Sequence, residues 1–262
     1  MPPALKARLR AGEFTLGSWI TLAHPAVAEV MARAGFDWLV IDVEHSVIGI
    51  GAVGELIRVI DLCGVAPLVR LTSNDPDQIK RVMDAGAHGI VVPMVNCAAD
   101  AARAVAATRY PPLGTRGVGL SRAQGYGAPG RFNAYLDWQE DGPVVIAQIE
   151  HRDAVDALES ILAVPGIDGF IVGPYDLSCS MGIPGQFDAP QFLEAMARIR
   201  ETGRRLRSPG GLHIVEPDTA GLDRAAGDGF AFIAYSVDFR MIDVASRHGV
   251  AAANKARTTW LK

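Results

Sequence analysis

Short apolar runs alternate with helix-like segments along the whole chain, and this alternation constrains the fold more than any other feature. Eight runs are present: FTLGSWITL from Phe14, DWLVID from Asp37, APLVRL from Ala66, GIVVPMV from Gly89, VVIAQIE from Val144, GFIVGP from Gly169, GGLHIV from Gly210 and FAFIAYSV from Phe230. Apolar strands separated by helices predict a parallel sheet covered on both faces. Eight such units in 262 residues favour an α/β protein with a closed (β/α)8 TIM barrel over an open sheet.

The segments between the runs carry helix signals. PAVAEVMARAG from Pro25 has a proline suited to a first helical turn and ends at Gly35, which suits the position after a helix. DPDQIKRVMDAGA from Asp75 and RDAVDALESILAV from Arg152 are similar. No linker-like stretch interrupts the pattern, so we expect a single barrel domain over 1–262.

Composition excludes several classes of protein. Hydrophobic residues make up 49% of the chain and charged residues 21%, which is typical of a globular protein with a sizeable core. The 25 Lys and Arg against 29 Asp and Glu give a net charge of −4, which argues against a nucleic-acid partner. The three cysteines have no CxxC spacing, so we expect buried thiols and no cysteine zinc site. No run of 18 apolar residues occurs and no apolar segment follows the basic start, so we expect a cytoplasmic protein with no membrane partner.

Polar residues cluster where the apolar runs end. They are Asp42, Glu44, His45, Arg70, Gln148, Glu150 and Asp176. Barrel enzymes build their sites at the carboxyl ends of the strands, and side chains two apart share a face of a strand. Carboxylates, a histidine and an arginine are therefore expected to converge on one mouth.

Each of these residues also has a structural interpretation. A carboxylate after a strand, such as Glu150 or Asp176, often caps a helix or meets solvent. His45 can be a hydrogen-bonded histidine at a strand end, and His213 is ambiguous. Arg70 is harder to explain structurally, because arginine is seldom buried without an anionic partner or ligand.

The longest weakly patterned segment runs from Arg109 to Phe132 and is rich in Gly and Arg. A loop of this length suggests a lid or a binding loop. Its glycines fit neither the Walker pattern nor GxGxxG after a strand, so a nucleotide site is not indicated.

The motifs in combination resemble the HpcH/HpaI aldolase family of metal-dependent class II pyruvate aldolases, roughly from Phe14 to Ala245. This family includes 4-hydroxy-2-oxoheptanedioate and 2-dehydro-3-deoxyglucarate aldolases. The resemblance rests on IDVEH ending at His45, the strand carrying Arg70, VPMVN from Val92, RYPPLGTRGVG from Arg109, AQIE ending at Glu150 and GPYDLS from Gly173.

The resemblance implies a catalytic divalent cation, Mg²⁺, Mn²⁺ or Co²⁺, held by Glu150 and Asp176 with water and substrate completing its shell. It implies that Arg70 faces the carbonyl oxygen that becomes an enolate. His45 is then the general base, acting through water, with Asp84 orienting it and Asp42 nearby.

The remaining implied site residues bind substrate. Gln148 lines the site, and the backbone from Gly173 through Pro174 and Tyr175 receives the pyruvate carboxylate at a helix N-terminus. Leu212 is also placed at the substrate. Arg122, in the long loop, is expected to select the acceptor half of the substrate through an acidic or polyhydroxylated group.

The implied reaction cleaves a 4-hydroxy-2-oxoacid reversibly into pyruvate and an aldehyde. The lysines lie away from the strand ends, which argues against Schiff-base chemistry. The family is commonly hexameric, with a terminal helix exchanged between subunits. Apolar residues near the C-terminus agree with a homo-oligomer: Val244, Ala245, Val250, Trp260 and Leu261.

Two alternatives remain open at this point. The first is another metal–enolate condensation on the same scaffold, of the siderophore-type citrate synthase or macrophomate-synthase kind. It would keep Glu150, Asp176 and Arg70 and change the lid. The second is a binding barrel without catalytic activity, which the fold alone does not exclude.

Overall fold

Eight parallel strands form one closed barrel in chain order, each paired with its neighbours and β8 paired with β1. The structure is a computed structural model that describes residues 5–260. The strands are β1 (Thr15–Ile20), β2 (Trp38–Asp42), β3 (Ala66–Arg70), β4 (Gly89–Val92), β5 (Val144–Ile149), β6 (Gly169–Val172), β7 (Gly210–Ile214) and β8 (Phe232–Val237). The predicted (β/α)8 barrel and all eight predicted strands are confirmed.

Helices surround the barrel. They are α1 (Leu5–Arg10), α2 (Pro25–Arg33), α3 (Ile50–Leu62), α4 (Pro76–Asp84), α5 (Ala98–Thr108), α6 (Arg131–Asp141), α7 (Arg152–Asp156), α8 (Leu158–Leu162), α9 (Pro174–Ser180), α10 (Pro190–Leu206), α11 (Thr219–Gly227) and α12 (Asp238–Trp260). The predicted helix from Arg152 is two short helices, because Ala157, with ψ of 2°, leaves the helical conformation between them.

Alternation along the strands divides the core into two layers. Outward-facing residues pack against the helices, whereas inward-facing residues fill the barrel. Inside, the rings of Trp38 and Phe232 stack with centroids 4.0 Å apart. Gly17 leaves room for this packing, since a Cβ there would lie 2.1 Å from the Trp38 ring. The barrel is a packed core below its mouth.

The amino ends of the strands are closed by α1. Lys6 is buried there, donates to the Pro143 carbonyl at 2.7 Å and lies 3.1 Å from Asp168. This buried pair fastens α1 across the bottom of the barrel, so the polar cluster described below is at the opposite end.

Two sequence predictions need correction. The thiols are not buried as expected: Cys63 is half-buried, and Cys97 and Cys179 are exposed. The long loop after α5 does not cover the carboxyl ends of this chain's own strands. It follows a helix that runs back toward the amino ends, so the loop lies at the bottom of the barrel, where Arg116 pairs with Asp84 at 2.6 Å.

The last helix, α12, is largely unburied along its 23 residues. Phe239, Ile242 and Val250 are each more than half exposed, and Trp260 is 90% exposed. Leu261, which the sequence also assigned to an oligomer contact, lies outside the described residues. Within residues 5–260, none of the helices combines the length and apolar character needed to cross a membrane.

Candidate active site

Strand alternation carries polar residues into the mouth of the barrel. The inward-facing series that fills the core with Val40, Leu68 and Ile146 continues at every second residue toward the carboxyl ends. Its next members are Asp42 at the end of β2 with Glu44 just beyond it, Arg70 at the end of β3, and Gln148 on β5 with Glu150 just beyond it. Because side chains two residues apart share a face of a strand, the same inward face is apolar inside the barrel and polar at its mouth.

Arg70 and Asp42 form the central ion pair. Arg70 Nε donates to Asp42 Oδ1 at 2.9 Å and Nη2 donates to Oδ2 at 2.6 Å. The guanidinium carbon lies 4.3 Å from the centroid of the Trp19 ring, and Nη1 lies 3.4 Å from Glu44 Oε2. A bidentate pair stacked on an indole leaves the guanidinium little freedom to turn.

Glu150 is buried and held in one orientation. Its carboxylate accepts a hydrogen bond from Gln148 Nε2 and another, of 2.7 Å, from the Met94 backbone N–H. Met94 has a φ of 52°, so the loop after β4 is bent to present this donor. A Cβ on Gly173 would lie 2.9 Å from Glu150 Oε2, so only glycine fits beside the carboxylate. Burial raises the pKa of Glu150, and the Asp176 carboxylate adds to the effect.

Glu44 is a further carboxylate in the mouth, beside Asp42, Glu150 and Asp176. Burial raises its pKa to about 7; Arg70 opposes the shift, and the Glu150 carboxylate adds to it. Glu44 Oε2 is buried and makes no hydrogen bond within the described residues. A negative group kept this close to other carboxylates is stabilised by a cation.

The donor chemistry of the mouth fits a hard divalent cation. Glu150 and Asp176 supply carboxylate oxygens, and Asp176 stands in the first turn of α9, exposed to the mouth. Gln148 Oε1 and Glu44 Oε2 are buried polar atoms that make no hydrogen bond among the described residues, although Arg70 Nη1 lies 3.4 Å from Glu44 Oε2. Within residues 5–260 no group of three or more His, Cys, Asp and Glu side chains forms a metal site, so water and substrate would have to complete the shell.

A cavity of about 310 Å³ opens at this mouth. The predicted site residues that line it are His45, Arg70, Gln148, Gly173, Pro174, Tyr175 and Asp176. His45 lies on the loop after β2 with 64% of its side chain exposed, and its Nε2 is 3.9 Å from Glu44 Oε2. Tyr175 is 62% exposed and packs edge-on against Phe187. The structure therefore brings most of the predicted constellation together.

Three predicted residues do not reach this mouth within the chain. Asp84 is the last residue of α4 and pairs with Arg116 at the amino ends of the strands. Arg122 pairs there with Asp61, near the end of α3. Leu212 faces outward from β7 and packs against the core between barrel and helices. These residues follow or end helices, or lie on the outer face of a strand, which explains their distance from the site.

The sequence analysis placed Glu44 in the polar cluster without a specific role, and it did not assign Trp19 or His213 to the mouth. The signal that could have found them is the same period of two, since Gly17 and Trp19 share a face, as do Gly211 and His213. His213 lies with its ring centroid 5.6 Å from that of Trp19. Its Nε2 is 3.1 Å from the Ser236 carbonyl oxygen. Burial lowers the pKa of His213 to about 4.

Known proteins are similar to this chain over more than nine-tenths of its length. A hydroxypyruvate/pyruvate aldolase of Sagittula stellata is 39% identical over 246 residues, covering 92% of this chain and 94% of the relative. A 4-hydroxy-2-oxo-heptane-1,7-dioate aldolase of Salmonella typhimurium is 41% identical over 258 residues, covering 95% and 96%. The crystal structure of an HpcH/HpaI aldolase/citrate lyase family protein from Burkholderia cenocepacia superposes with a TM-score of 0.89 at 34% identity, covering 95% of this chain and 98% of that one.

The family model for HpcH/HpaI aldolase/citrate lyase matches residues 15–245, which spans the barrel from β1 into α12. The match includes every strand and every residue of the mouth described above. Sequence and fold agree, and the chain belongs to the HpcH/HpaI aldolase/citrate lyase family.

Proposed function

We propose that this chain is a divalent-metal-dependent pyruvate aldolase that reversibly cleaves a 4-hydroxy-2-oxoacid into pyruvate and an aldehyde. The observation that carries the proposal is the Arg70 guanidinium, fixed by Asp42 at the same mouth as the Glu150 and Asp176 carboxylates. The aldolase assignment has further support from relatives named as aldolases at about 40% identity over nearly the whole chain.

Glu150 and Asp176 would hold the cation, which we propose is Mg²⁺, Mn²⁺ or Co²⁺. When bound, it acts as a Lewis acid toward the carboxylate and keto oxygens of the 2-oxoacid. Gln148 and the Met94 N–H orient Glu150 for this task. The first turn of α9, from Gly173 through Pro174 and Tyr175, lies beside the same carboxylates and would receive the substrate carboxylate.

Arg70 supplies positive charge where negative charge develops. When the bond between C3 and C4 breaks, its electron pair passes to the pyruvyl half and the keto oxygen becomes an enolate oxygen. Asp42 holds the guanidinium in place before the reaction begins, so no reorganisation is needed as that charge forms. The Trp19 ring beneath the guanidinium excludes water from its other face.

His45 is the proposed general base. It takes the proton of the C4 hydroxyl as the bond to C3 breaks, so that C4 leaves as the carbonyl carbon of the aldehyde. The enolate then takes a proton from solvent at C3 to become pyruvate, and the imidazolium releases its proton to solvent. Its exposed position on the loop after β2 lets it act through a water molecule. In the reverse direction the same imidazolium returns the proton to the new alkoxide.

We further propose a homo-oligomer, a hexamer, of single-domain barrels in which α12 is covered by a neighbouring subunit. The exposed apolar residues of that helix, among them Ile242 and Val250, support this. Asp84 and Arg122 lie at the end of the barrel opposite their own mouth. If Asp84 and Arg122 contact a substrate, as predicted, that substrate is bound at the mouth of a neighbouring subunit.

Product analysis tests the proposed reaction directly. The protein is incubated with pyruvate, Mg²⁺ or Mn²⁺ and a panel of aldehydes, and the products are identified by NMR and mass spectrometry. We expect 4-hydroxy-2-oxoacids. Formation of a branched polycarboxylate from a 2-oxoacid acceptor would instead indicate the citrate-synthase-like condensation, and no product with any acceptor would contradict the proposal.

A further inference from the structure

A second cavity opens at the amino ends of β6, β7 and β8, at the opposite end of the barrel from the candidate active site. Its volume is about 420 Å³, within the range of sites for small organic ligands. Arginines, glycines and phenylalanines form most of its wall. Its charged lining residues, in the part of the chain that the structure describes, are Arg10, Arg200, Arg204, Arg207 and Asp228. The lining is therefore strongly basic in a chain whose net charge is −4.

Three of these arginines come from the carboxyl-terminal end of α10. Arg200 and Arg204 are four residues apart and share a face of the helix. Arg207 follows the last helical residue and has a φ of 54° and a ψ of 32°, a left-handed conformation that favours glycine. A Cβ on Gly229, in the turn after α11, would lie 3.7 Å from Arg204 Nη2, so this guanidinium reaches the neighbouring wall of the cavity.

The three guanidiniums from α10 lack carboxylate partners. Among residues 5–260, Arg204 and Arg207 form no ion pair. Arg200 lies 4.0 Å from Asp228, which is beyond hydrogen-bond distance. Their N–H donors therefore point into the cavity region without an anion from this chain to accept from them.

Other arginines of the same helix are paired. Arg198 donates to Asp156 at 2.9 Å, and Arg205 donates to Glu159 through two hydrogen bonds of 3.0 and 2.8 Å. These partners lie on α7 and α8. Thus α10 pairs the arginines that face its neighbouring helices and, within the described chain, leaves those at the cavity unpaired.

The helix dipole accounts for only part of this cluster. Cations are stabilised by the last turn of a helix, and the effect falls off beyond it. Arg204 lies in that turn, whereas Arg200 lies more than one turn before Leu206, where α10 ends. Like charges four residues apart repel each other on a helix, so this pair by itself lowers helix stability. A bound anion would offset the repulsion.

The donors at the cavity fit an anion that carries several charges. Each guanidinium offers its N–H groups in a fixed fork that matches two oxygens of one phosphate. Arg10 is already paired with Asp141 at 2.5 Å, and Asp228 offsets one of the three charges from α10. A diphosphate group places more charge and more acceptor oxygens in one compact unit than a carboxylate does. Phe170 and Phe230 add an apolar wall, which would cover an organic group joined to the diphosphate.

We propose that this cavity is a binding site for a diphosphate group, with Arg200, Arg204 and Arg207 as its ligands. The site is separate from the metal and enolate site of the proposed function, since the two lie at opposite ends of the barrel. The diphosphate has two possible sources, free pyrophosphate and an ester such as a nucleoside diphosphate, which share the same recognition chemistry.

Isothermal titration calorimetry of the full-length protein tests this site, with inorganic pyrophosphate and ADP as probes. No divalent metal is added, because both probes chelate it. Arg204→Gln and Arg207→Gln should each weaken binding about tenfold, the loss expected for one charge-assisted contact. Arg198→Gln and Arg205→Gln, which remove paired arginines from the same helix, should bind with wild-type affinity. Circular dichroism of each variant shows whether the fold is kept.

The two probes separate the sources of the diphosphate. Tighter binding of ADP than of pyrophosphate would show that the apolar wall covers an organic group, so that the ligand is an ester. Equal affinities would show that the diphosphate alone is recognised. Citrate, a polyanion with carboxylates in place of phosphates, should bind about tenfold more weakly than pyrophosphate.

Several results would overturn the inference. They are no binding of either probe to the wild-type protein, an affinity that Arg204→Gln and Arg207→Gln leave unchanged, an equal loss in Arg205→Gln, and citrate binding as tight as that of pyrophosphate. Asp176→Asn should leave the pyrophosphate affinity unchanged, and a loss there would place the anion at the mouth instead. Aldol cleavage is measured separately, so failure of this site and failure of the proposed function are distinguishable.

Discussion

Asp42 accepts two parallel hydrogen bonds from Arg70, of 2.9 and 2.6 Å, while also accepting the backbone N–H groups of Glu44 and His45 at 3.0 and 3.2 Å. One buried carboxylate therefore fixes both the guanidinium and the start of the loop that carries the proposed base. Neither residue of the ion pair is replaceable by a neutral one without disturbing this geometry.

The first prediction concerns this pair. Asp42→Asn removes the charge that orients Arg70, and we expect pyruvate proton exchange to slow by about 10²-fold, in the range typical of a lost transition-state donor. Arg70→Ala should slow exchange by about 10²–10³-fold, and the double variant should be no slower than Arg70→Ala alone. Asp77→Asn, in an exposed pair with Lys80, is the control. Additive losses would show that Asp42 and Arg70 act independently.

The second prediction separates the base from the enolate-stabilising group. Because His45 is assigned to the C4 hydroxyl, His45→Ala should slow aldol cleavage by about 10²–10⁴-fold. It should affect pyruvate proton exchange less than cleavage. Both rates are measured on the same preparation, with His24→Ala as a control for the loss of an exposed histidine. Equal losses in the two rates would remove His45 from its assigned step.

The third prediction concerns pH and metal binding. Burial raises the pKa of Glu44 to about 7 in the protein without metal, above its usual value of 4.5. Ionised Glu44 is thus unfavourable in the folded state, and its cost to stability grows as pH rises from about 4.5 through 7. A bound cation relieves that cost and competes with the proton. We expect Mg²⁺ or Mn²⁺ to bind about tenfold more tightly at pH 8 than at pH 6.

Isothermal titration calorimetry over pH 6–8 measures this dependence, and Glu44→Gln should flatten it. Glu159→Gln, in an exposed pair with Arg205 between two outer helices, provides a control with the same chemical change outside the mouth. Affinity independent of pH in the wild-type protein would show that Glu44 does not sense the cation.

The fourth prediction tests the assembly. Light scattering should give the mass of the proposed hexamer, six chains. We expect association because the apolar residues that α12 leaves exposed would be buried by a neighbouring subunit.

The shared site has a separate test. If Asp84 contributes to the mouth of a neighbouring subunit, Glu150→Gln and Asp84→Asn subunits are each weakly active alone. Co-expressed, they should recover about a quarter of wild-type activity through random pairing in a symmetric oligomer. A monomeric mass would refute the assembly, and no recovery in a confirmed oligomer would refute the shared site.

The fold and most of the mouth are predictable from the sequence because one physical rule produces both. Alternation at period two fills the barrel with Val40 and Leu68 and then delivers Asp42 and Arg70 to its carboxyl end. The same rule applied to β7 selects His213 over Leu212, which faces the helices. The family resemblance had placed Leu212 at the substrate, whereas alternation along β7 predicts that His213 faces the mouth.

Residues outside the strands follow no such rule. Asp84 and Arg122 were expected at the mouth, but each follows or ends a helix and lies at the amino ends of the strands. The support that Met94 gives to Glu150 also has no sequence signal, because it depends on a positive φ in the loop after β4. Long-range pairs such as Arg116 with Asp84 are set by packing of distant segments, which local patterns do not encode.

The dependence of pyruvate enolisation on a divalent cation held by Glu150 and Asp176 is the most direct test of the account. Deuterium exchange of the pyruvate methyl protons is measured after exhaustive chelation and again after addition of Mg²⁺, Mn²⁺ or Co²⁺. We expect exchange to be lost on chelation and restored by the metal in the wild-type protein. Asp176→Asn should bind the cation poorly and recover little exchange at equal metal concentration. Full exchange in rigorously metal-free wild-type protein would contradict the account.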